Sequence, residues 1–295
     1  MKKFLLLLLM ISVVSCKKNV GKIDEIFKND ATELVGLIDN SQPIINKEKN
    51  TIKERFSAPK NFEWEKTPPN SYGQFLENFP LKKYVSPIIK FNNEKIANQT
   101  LHEGVFDIDV GEKDLQQCAD AIIRLRAEYL YQNKKFDQIK FHFTSGDLFS
   151  WNDFKNGIRP IVNGNNVRFE KRESFDDSKA SFRNYLNVIF NYAGTISVFK
   201  EGTDIKKTAD LQTGDFVITA GSPGHVVFIA GVCKNKNGKK LFLLAEGFTP
   251  AQSISVMKNP YNSEISPWYE LKVEDESIKT SRYIFSPVNF KRYLD

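Results

Sequence analysis

The sequence predicts an α+β fold in which N-terminal helices pack on a mostly antiparallel sheet. Three observations carry this. The clear helical patterns, Asp114 to Tyr131 and Ser181 to Asn191, come first. Alternating or continuously apolar strand patterns dominate afterwards, at 195–199, 216–219, 225–233, 241–245 and 253–257. Asn237-Gly238, between two of these runs, is a strong hairpin turn signal. Helices followed by hairpin-linked strands argue for α+β rather than an alternating parallel architecture.

The N-terminus carries an address. Lys2 and Lys3 precede an almost wholly apolar run, Phe4 to Val14. That run is shorter than the roughly 20 residues a spanning helix requires, and it fits the apolar core of a secretory signal. It ends in Val13-Val14-Ser15-Cys16, which resembles a lipobox. The resemblance implies cleavage after Ser15 and a lipid on Cys16. The expected organisation is a signal at 1–15, a lipid anchor and polar tether at 16–50, and one α+β domain at 51–295. Within the tether, Ile23, Phe27, Ala31, Leu34 and Ile38 fall at helical spacing. The expected location is the cell envelope, lipid-anchored. Lys17 after the modified cysteine favours an outer membrane facing the periplasm.

Composition sets further bounds. With 41% hydrophobic and 13% aromatic residues, the chain is too apolar for a disordered protein. Loss of Lys2 and Lys3 on cleavage lowers the formal charge from +6 to +4. The chain has no nucleic-acid motif and no long basic stripe. The expected partners are the membrane, through Cys16, and an envelope polymer such as peptidoglycan. His102, His142 and His225 are scattered without metal-ligand spacing, so neither metal nor cofactor is expected. Cys118 and Cys233 remain after lipidation, and an exported compartment permits a bridge between them.

In chain order, Ser71 to Phe79 predicts a short helix ending at Pro80, and Val105 to Val110 a strand. Asp114 is expected to cap the long helix, with Gln117 three residues on as in a capping box. Phe136 to Phe143 alternates like a strand.

Two segments hold candidate chemistry. Asp114-Leu115-Gln116-Gln117-Cys118 puts a cysteine near a helix N-terminus, whose partial positive charge favours thiolate. Gly221-Ser222-Pro223-Gly224-His225 puts a histidine at the start of a buried strand, after glycines that let the backbone approach a neighbour closely. Imidazole can take a thiol proton and later return it to a leaving amine. Glu246 is the best-placed group to fix the imidazole tautomer. A two-residue Asn237-Gly238 turn would pair Ile229 with Glu246. Glu246 and His225 would then share a face about two pleats apart, closer if a bulge intervenes. Gln252 is a second choice. An equally physical reading makes Cys118 a small core residue on the apolar side of its helix. Trp151 and Arg159, expected in a loop, could grip a sugar or acidic peptide, although such a pair more often closes over a core.

The order of cysteine helix, Gly214-Asp215 strand and Gly224-His225-Val226 strand resembles papain-like cysteine hydrolases of the NlpC/P60 and CHAP groups. The resemblance implies Cys118 as nucleophile, His225 as base and acid, Glu246 as orienter, and peptidoglycan peptides as substrate. Gln117 stands where NlpC/P60 enzymes usually carry aspartate. A closer resemblance rests on Asp114 to Ala121, Arg124 to Leu130, Gly157-Ile158-Arg159, Phe182-Arg183-Asn184-Tyr185, Pro223-Gly224-His225, Pro250-Ala251-Gln252 and Pro267-Trp268-Tyr269. Together these resemble the DUF4846 family, a set of lipoproteins common in Bacteroidota. Glu246 stands where those proteins usually carry glutamine. The sequence thus supports two functions: a membrane-anchored thiol hydrolase of amide bonds, or a non-catalytic envelope protein that binds a glycan or protein partner.

Overall fold

A long strand, His225–Asn235, is buried along its first nine residues and organises everything around it. The computed structural model describes residues 43–294. The lipobox, Cys16 and the amphipathic segment Ile23 to Ile38 lie outside the described residues. In chain order the elements are α1 (Ile52–Arg55), β1 (Phe62–Trp64), α2 (Tyr72–Glu77), β2 (His102–Val105), α3 (Cys118–Gln132), β3 (Lys140–His142) and β4 (Leu148–Ser150). Next come α4 (Trp151–Lys155), β5 (Ile158–Asn163), β6 (Asn166–Lys171), α5 (Lys179–Tyr192), α6 (Thr195–Glu201), β7 (Thr203–Asp204) and β8 (Phe216–Thr219). The chain ends with β9 (His225–Asn235), β10 (Lys240–Glu246), β11 (Ser255–Met257), β12 (Trp268–Tyr269), β13 (Ile278–Lys279), β14 (Ile284–Phe285) and β15 (Phe290–Arg292).

The fold is α+β, as expected. A nine-stranded sheet runs β2-β11-β10-β9-β8-β15-β7, with β1 added to β9 and β12 to β10. Its strand pairs are antiparallel. One sheet face buries Val226, Phe228, Leu243 and Ala245 in a large core with α2, α3, α5 and α6. The other face buries Val227, Ile229, Phe242 and Leu244 under Tyr269, Ile278 and Phe285. Burial on both faces explains why β9 reads as a continuous apolar run rather than an alternation. No helix among the described residues is long and apolar enough to cross a membrane.

Several expectations need correction. Residues 44–46, assigned to the tether, pair with the folded unit: Asn46 N–H donates to Arg55 O at 2.7 Å and Ser57 N–H to Ile44 O at 2.8 Å. The strand expected at 105–110 lies earlier, at His102–Val105. Thr195 to Phe199 is helix, not strand, because Gly194 N–H donates to Ser197 Oγ and the first turn is capped there. Phe136–Gln138 is a 3-10 turn, and strand begins only at Lys140. Trp151 starts a helix and Arg159 lies on a strand, so neither is in a loop. No bridge joins Cys118 and Cys233; both are free and buried.

The β9–β10 hairpin differs in a way that matters for the site. Asn235 N–H donates to Lys239 O, so the loop has three residues, not two. The Asn235 side chain accepts from the N–H groups of Asn237 and Lys239 and fixes it. Further along, the register slips between Leu243 and Leu244. Ala245 therefore lies opposite Phe228, and Glu246 one step beyond, opposite Val227. The expected partner was Ile229. Loop and bulge together move Glu246 one pleat closer to His225.

Beyond Glu246 the chain runs against the first turn of α3. A Cβ on Gly247 would sit 2.8 Å from Gln117 O and 2.9 Å from the Ala121 Cβ. Neither atom can swing away. Gly247→Ala is therefore expected to cost about 1–3 kcal/mol through overpacking, measured as a lower urea midpoint. An unchanged midpoint would mean that α3 does not rest on this glycine.

Candidate functional site

The first turn of α3 sets the cysteine. Asp114 does not cap the helix; its carboxylate accepts from Ala251 N–H at 2.6 Å and from Gln117 Nε2 at 3.1 Å. It thereby ties the 247–252 loop to the helix start. Gln117 is the N-cap, and Asp120 Oδ2 accepts its N–H at 3.0 Å, one arm of a capping box shifted by three residues. Cys118 is thus the first helical residue.

Its thiol nevertheless does not favour the charged form. Burial and then the Asp120 carboxylate push it up to about 11, against weaker help from the N–H groups of Ala119, Val226 and Cys118 itself. The side chain lies in the main core and the residue is 9% exposed. A helix terminus contributes about 0.3–1 kcal/mol. Each unit of upward shift corresponds to about 1.4 kcal/mol. Desolvation outweighs the helix end, against the expectation that the helix end favours thiolate.

His225 opens β9 directly after a turn held by α6. Thr195 Oγ1 donates to Gly221 O at 3.0 Å, and Gly221 N–H donates back at 3.2 Å. A Cβ on Gly224 would meet Thr195 Oγ1 at 2.4 Å and Gly221 O at 2.6 Å, so the sequence inference of close backbone approach holds. The imidazole packs among Tyr283, Phe248 and Phe285, with ring centroids 4.8, 5.0 and 5.9 Å away.

Nε2 of His225 lies 2.6 Å from Oε2 of Glu246, a residue 1% exposed. Arg282 Nε donates to the other oxygen, Oε1, at 2.5 Å. Arg282 Nη1 donates to Gln252 Oε1 at 3.0 Å, and the guanidinium lies 4.3 Å from the Phe248 ring centroid. A carboxylate paired with arginine accepts rather than donates. Nε2 therefore carries the proton, and Nδ1 presents its lone pair without a hydrogen-bond partner among the described residues.

The three candidates thus meet at one end of β9 and β10, but only one contact is closed. The Cys118 sulfur faces the amide of Val226, the residue after His225. No hydrogen bond joins thiol to imidazole. The imidazole packs on Tyr283 and Phe285, which belong to the second core, whereas Cys118 belongs to the first.

The sugar-gripping pair fails on burial. Trp151 is 1% exposed and packs against Phe154, Phe182 and Tyr185. Arg159 lies 3.6 Å from the Phe154 ring centroid and pairs with Glu173. Arg124 bonds Glu128, Asp109 and Gln116. Sequence reasoning missed Arg282, which reaches Glu246 from the turn between β13 and β14, 36 residues downstream. It also missed the capping role of Asp120, whose signal was the Gln117-x-x-Asp120 spacing.

A large groove lies elsewhere. It encloses about 1630 Å³ between β1, α2, the 209–215 segment, the β9–β10 loop and the C-terminal segment. Trp64, Lys66, Tyr72, Lys236, Lys240 and Arg292 line it. It meets β9 at Lys234 and Asn235, and neither Cys118, His225 nor Glu246 lines it. Among the described residues, no cluster of three or more His, Cys, Asp or Glu side chains could hold a metal ion.

Removing one partner from a buried ion pair strands the other charge. Arg282→Met is expected to cost about 3 kcal/mol at neutral pH, read from urea unfolding. Adding Glu246→Gln should restore part of that loss. A double variant no more stable than Arg282→Met alone would show that the guanidinium does not compensate Glu246.

No curated protein and no solved structure matches the chain. A family model does: the one described as DUF4846, domain of unknown function (4846), aligns with residues 52–292. That span covers most of the chain, from α1 to the last strand, and includes Cys118, His225, Glu246 and Arg282. The chain belongs to the DUF4846 family.

Proposed function

We propose that this protein is a membrane-anchored envelope lipoprotein whose folded domain hydrolyses amide bonds with a cysteine nucleophile, in the manner of papain-like enzymes. The observation that carries the reading is the His225–Glu246–Arg282 relay. It holds an imidazole in one tautomer, on the residue preceding Val226, whose backbone N–H faces the Cys118 sulfur. The relay orients a base, as a third polar group does in any nucleophile–base–orienter set.

The high thiol pKa selects one version of the mechanism. Cys118 rests as a neutral thiol, so His225 must act as a general base during attack, not as half of a preformed ion pair. Nδ1 takes the thiol proton as sulfur adds to the carbonyl carbon. The Cys118 N–H, which the resting sulfur faces, would donate to the resulting oxyanion once the sulfur moves onto the carbonyl carbon. His225 returns the proton to the departing amine, leaving a thioester. Water, deprotonated by the same nitrogen, releases the acid and restores the thiol. Sulfur and Nδ1 must come within hydrogen-bond distance when substrate binds, since catalytic hydrogen bonds often tighten only in the complex. Peptidoglycan peptides fit the proposed address, and the lipid on Cys16 would hold the domain near them.

The test is iodoacetamide labelling of the full-length chain in detergent, located by peptide mass spectrometry, together with release of amines from muropeptides. Cys118 should label slowly at pH 7. Muropeptide cleavage should fall at least 100-fold in Cys118→Ala and His225→Ala, the usual scale for losing a nucleophile or base. Cleavage that survives Cys118→Ala would eliminate the thiol mechanism.

One observation favours a second reading. The large groove is lined by neither Cys118 nor His225, and Lys66 and Lys236 on its lining have no ion-pair partner among the described residues. A non-catalytic envelope protein would bind an anionic glycan or peptide there. Glycan-fragment titration by NMR should then weaken in Lys66→Glu/Lys236→Glu and remain unchanged in Cys118→Ala. Unaltered titration in the lysine variant would remove the groove from consideration.

A further inference from the structure

We propose that Asp120 is a positioning residue for the proposed thiol chemistry: buried in the same first helical turn as Cys118, it governs when the thiol can release its proton. This rests on the thiol reading of the site. Asp120 is 6% exposed, and its carboxyl is used on one side only. Oδ2 accepts Gln117 N–H, while Oδ1 is fully enclosed and has no hydrogen-bond partner. Two residues earlier, the Cys118 sulfur turns to the N–H groups of Cys118 and Ala119. Both side chains therefore turn toward amides of the helix start, the carboxyl to Gln117 and the sulfur to Cys118 and Ala119. An enclosed carboxyl oxygen without a donor is costly when charged and is relieved by carrying the proton itself.

Among the described residues, the nearby cations are engaged with other groups. Arg126, further along α3, is turned to Tyr72, Tyr129 and Leu294 O. Arg124 is occupied by Asp109, Glu128 and Gln116. Tyr293 of the C-terminal segment lies within electrostatic reach of Asp120, Tyr72, Glu201 on α6 and Arg126. Across the site on β9, His225 is engaged with Glu246. Burial accordingly pushes the Asp120 carboxyl up to about 8.

Neighbouring acids titrate as a pair, and each proton lost makes the other harder to remove. Below pH 8 Asp120 is neutral and does not oppose the thiolate. Above it, the new charge holds the thiol proton in place. Thiol reactivity should then rise with pH up to about 8 and more gently beyond. The uncharged state also gives the folded chain a preference for protonated Asp120, so stability contributed at low pH is lost as pH rises from the ordinary carboxylate range of ~4 toward 8.

The experiment follows iodoacetamide labelling of Cys118 in the full-length chain from pH 6 to 10. Log rate should break to a shallower slope near pH 8. Asp120→Asn, which keeps an acceptor for Gln117 N–H, should lose the break and label several-fold faster at pH 9. A profile superimposable on the parent would overturn the proposal. If Asp120→Asn does not fold, the carbon-13 signal of the Asp120 carboxyl in Cys118→Ala decides. A midpoint well above 5 supports the proposal, and one below 5 overturns it. His225→Ala separates the two ideas: a retained break with an unchanged rate sinks the base role of His225 but leaves that of Asp120.

Discussion

The buried carboxylate of Glu246 is the constraint on which the site depends. A charge this deep persists only if it is paired and hydrogen-bonded on both oxygens. His225 supplies one partner and Arg282 the other. Meeting that demand fixes three separate parts of the chain: the start of β9, the end of β10 and the turn between β13 and β14. The β13–β14 turn brings Arg282 to Glu246, and Arg282 in turn holds Gln252 and covers Phe248. The aromatic wall around the imidazole follows from the same closure.

Register makes this closure possible. A two-residue turn and a regular ladder would have left Glu246 opposite Ile229, two pleats from His225. The longer loop and the slip between Leu243 and Leu244 bring it opposite Val227. Bulges recur where a side chain must be re-aimed, and this one aims a carboxylate at an imidazole. On the far side of the sheet, Gly247 lets α3 settle on the strand end. Cys118 thereby comes to the amide beside His225.

Much of this was legible from sequence. The long helix and the buried strands follow from periodicity, and the shared face of His225 and Glu246 from the hairpin at Asn237-Gly238; their contact needed the longer loop and the register slip, which no local pattern marks. The helix start was misplaced because Asp114 is a good capping residue that serves a different partner, Ala251. Thr195 to Phe199 resembles a strand in composition, but its β-branched residues sit in a capped first turn where propensity is easily overridden. The thiol state was not legible at all. Helix-end charge is visible in sequence, whereas the depth of burial that outweighs it is a tertiary property. Arg282 was hidden for the same reason: nothing local marks a residue whose role is to meet a carboxylate brought in from another strand.

The state of the His225 imidazole tests the account most directly, through the long-range nitrogen-15 spectrum of the histidine-labelled protein. The account predicts the tautomer with the proton on Nε2, and an Nδ1 resonance that moves when Cys118 is replaced by alanine. A proton on Nδ1, or an Nδ1 resonance indifferent to Cys118, would contradict it.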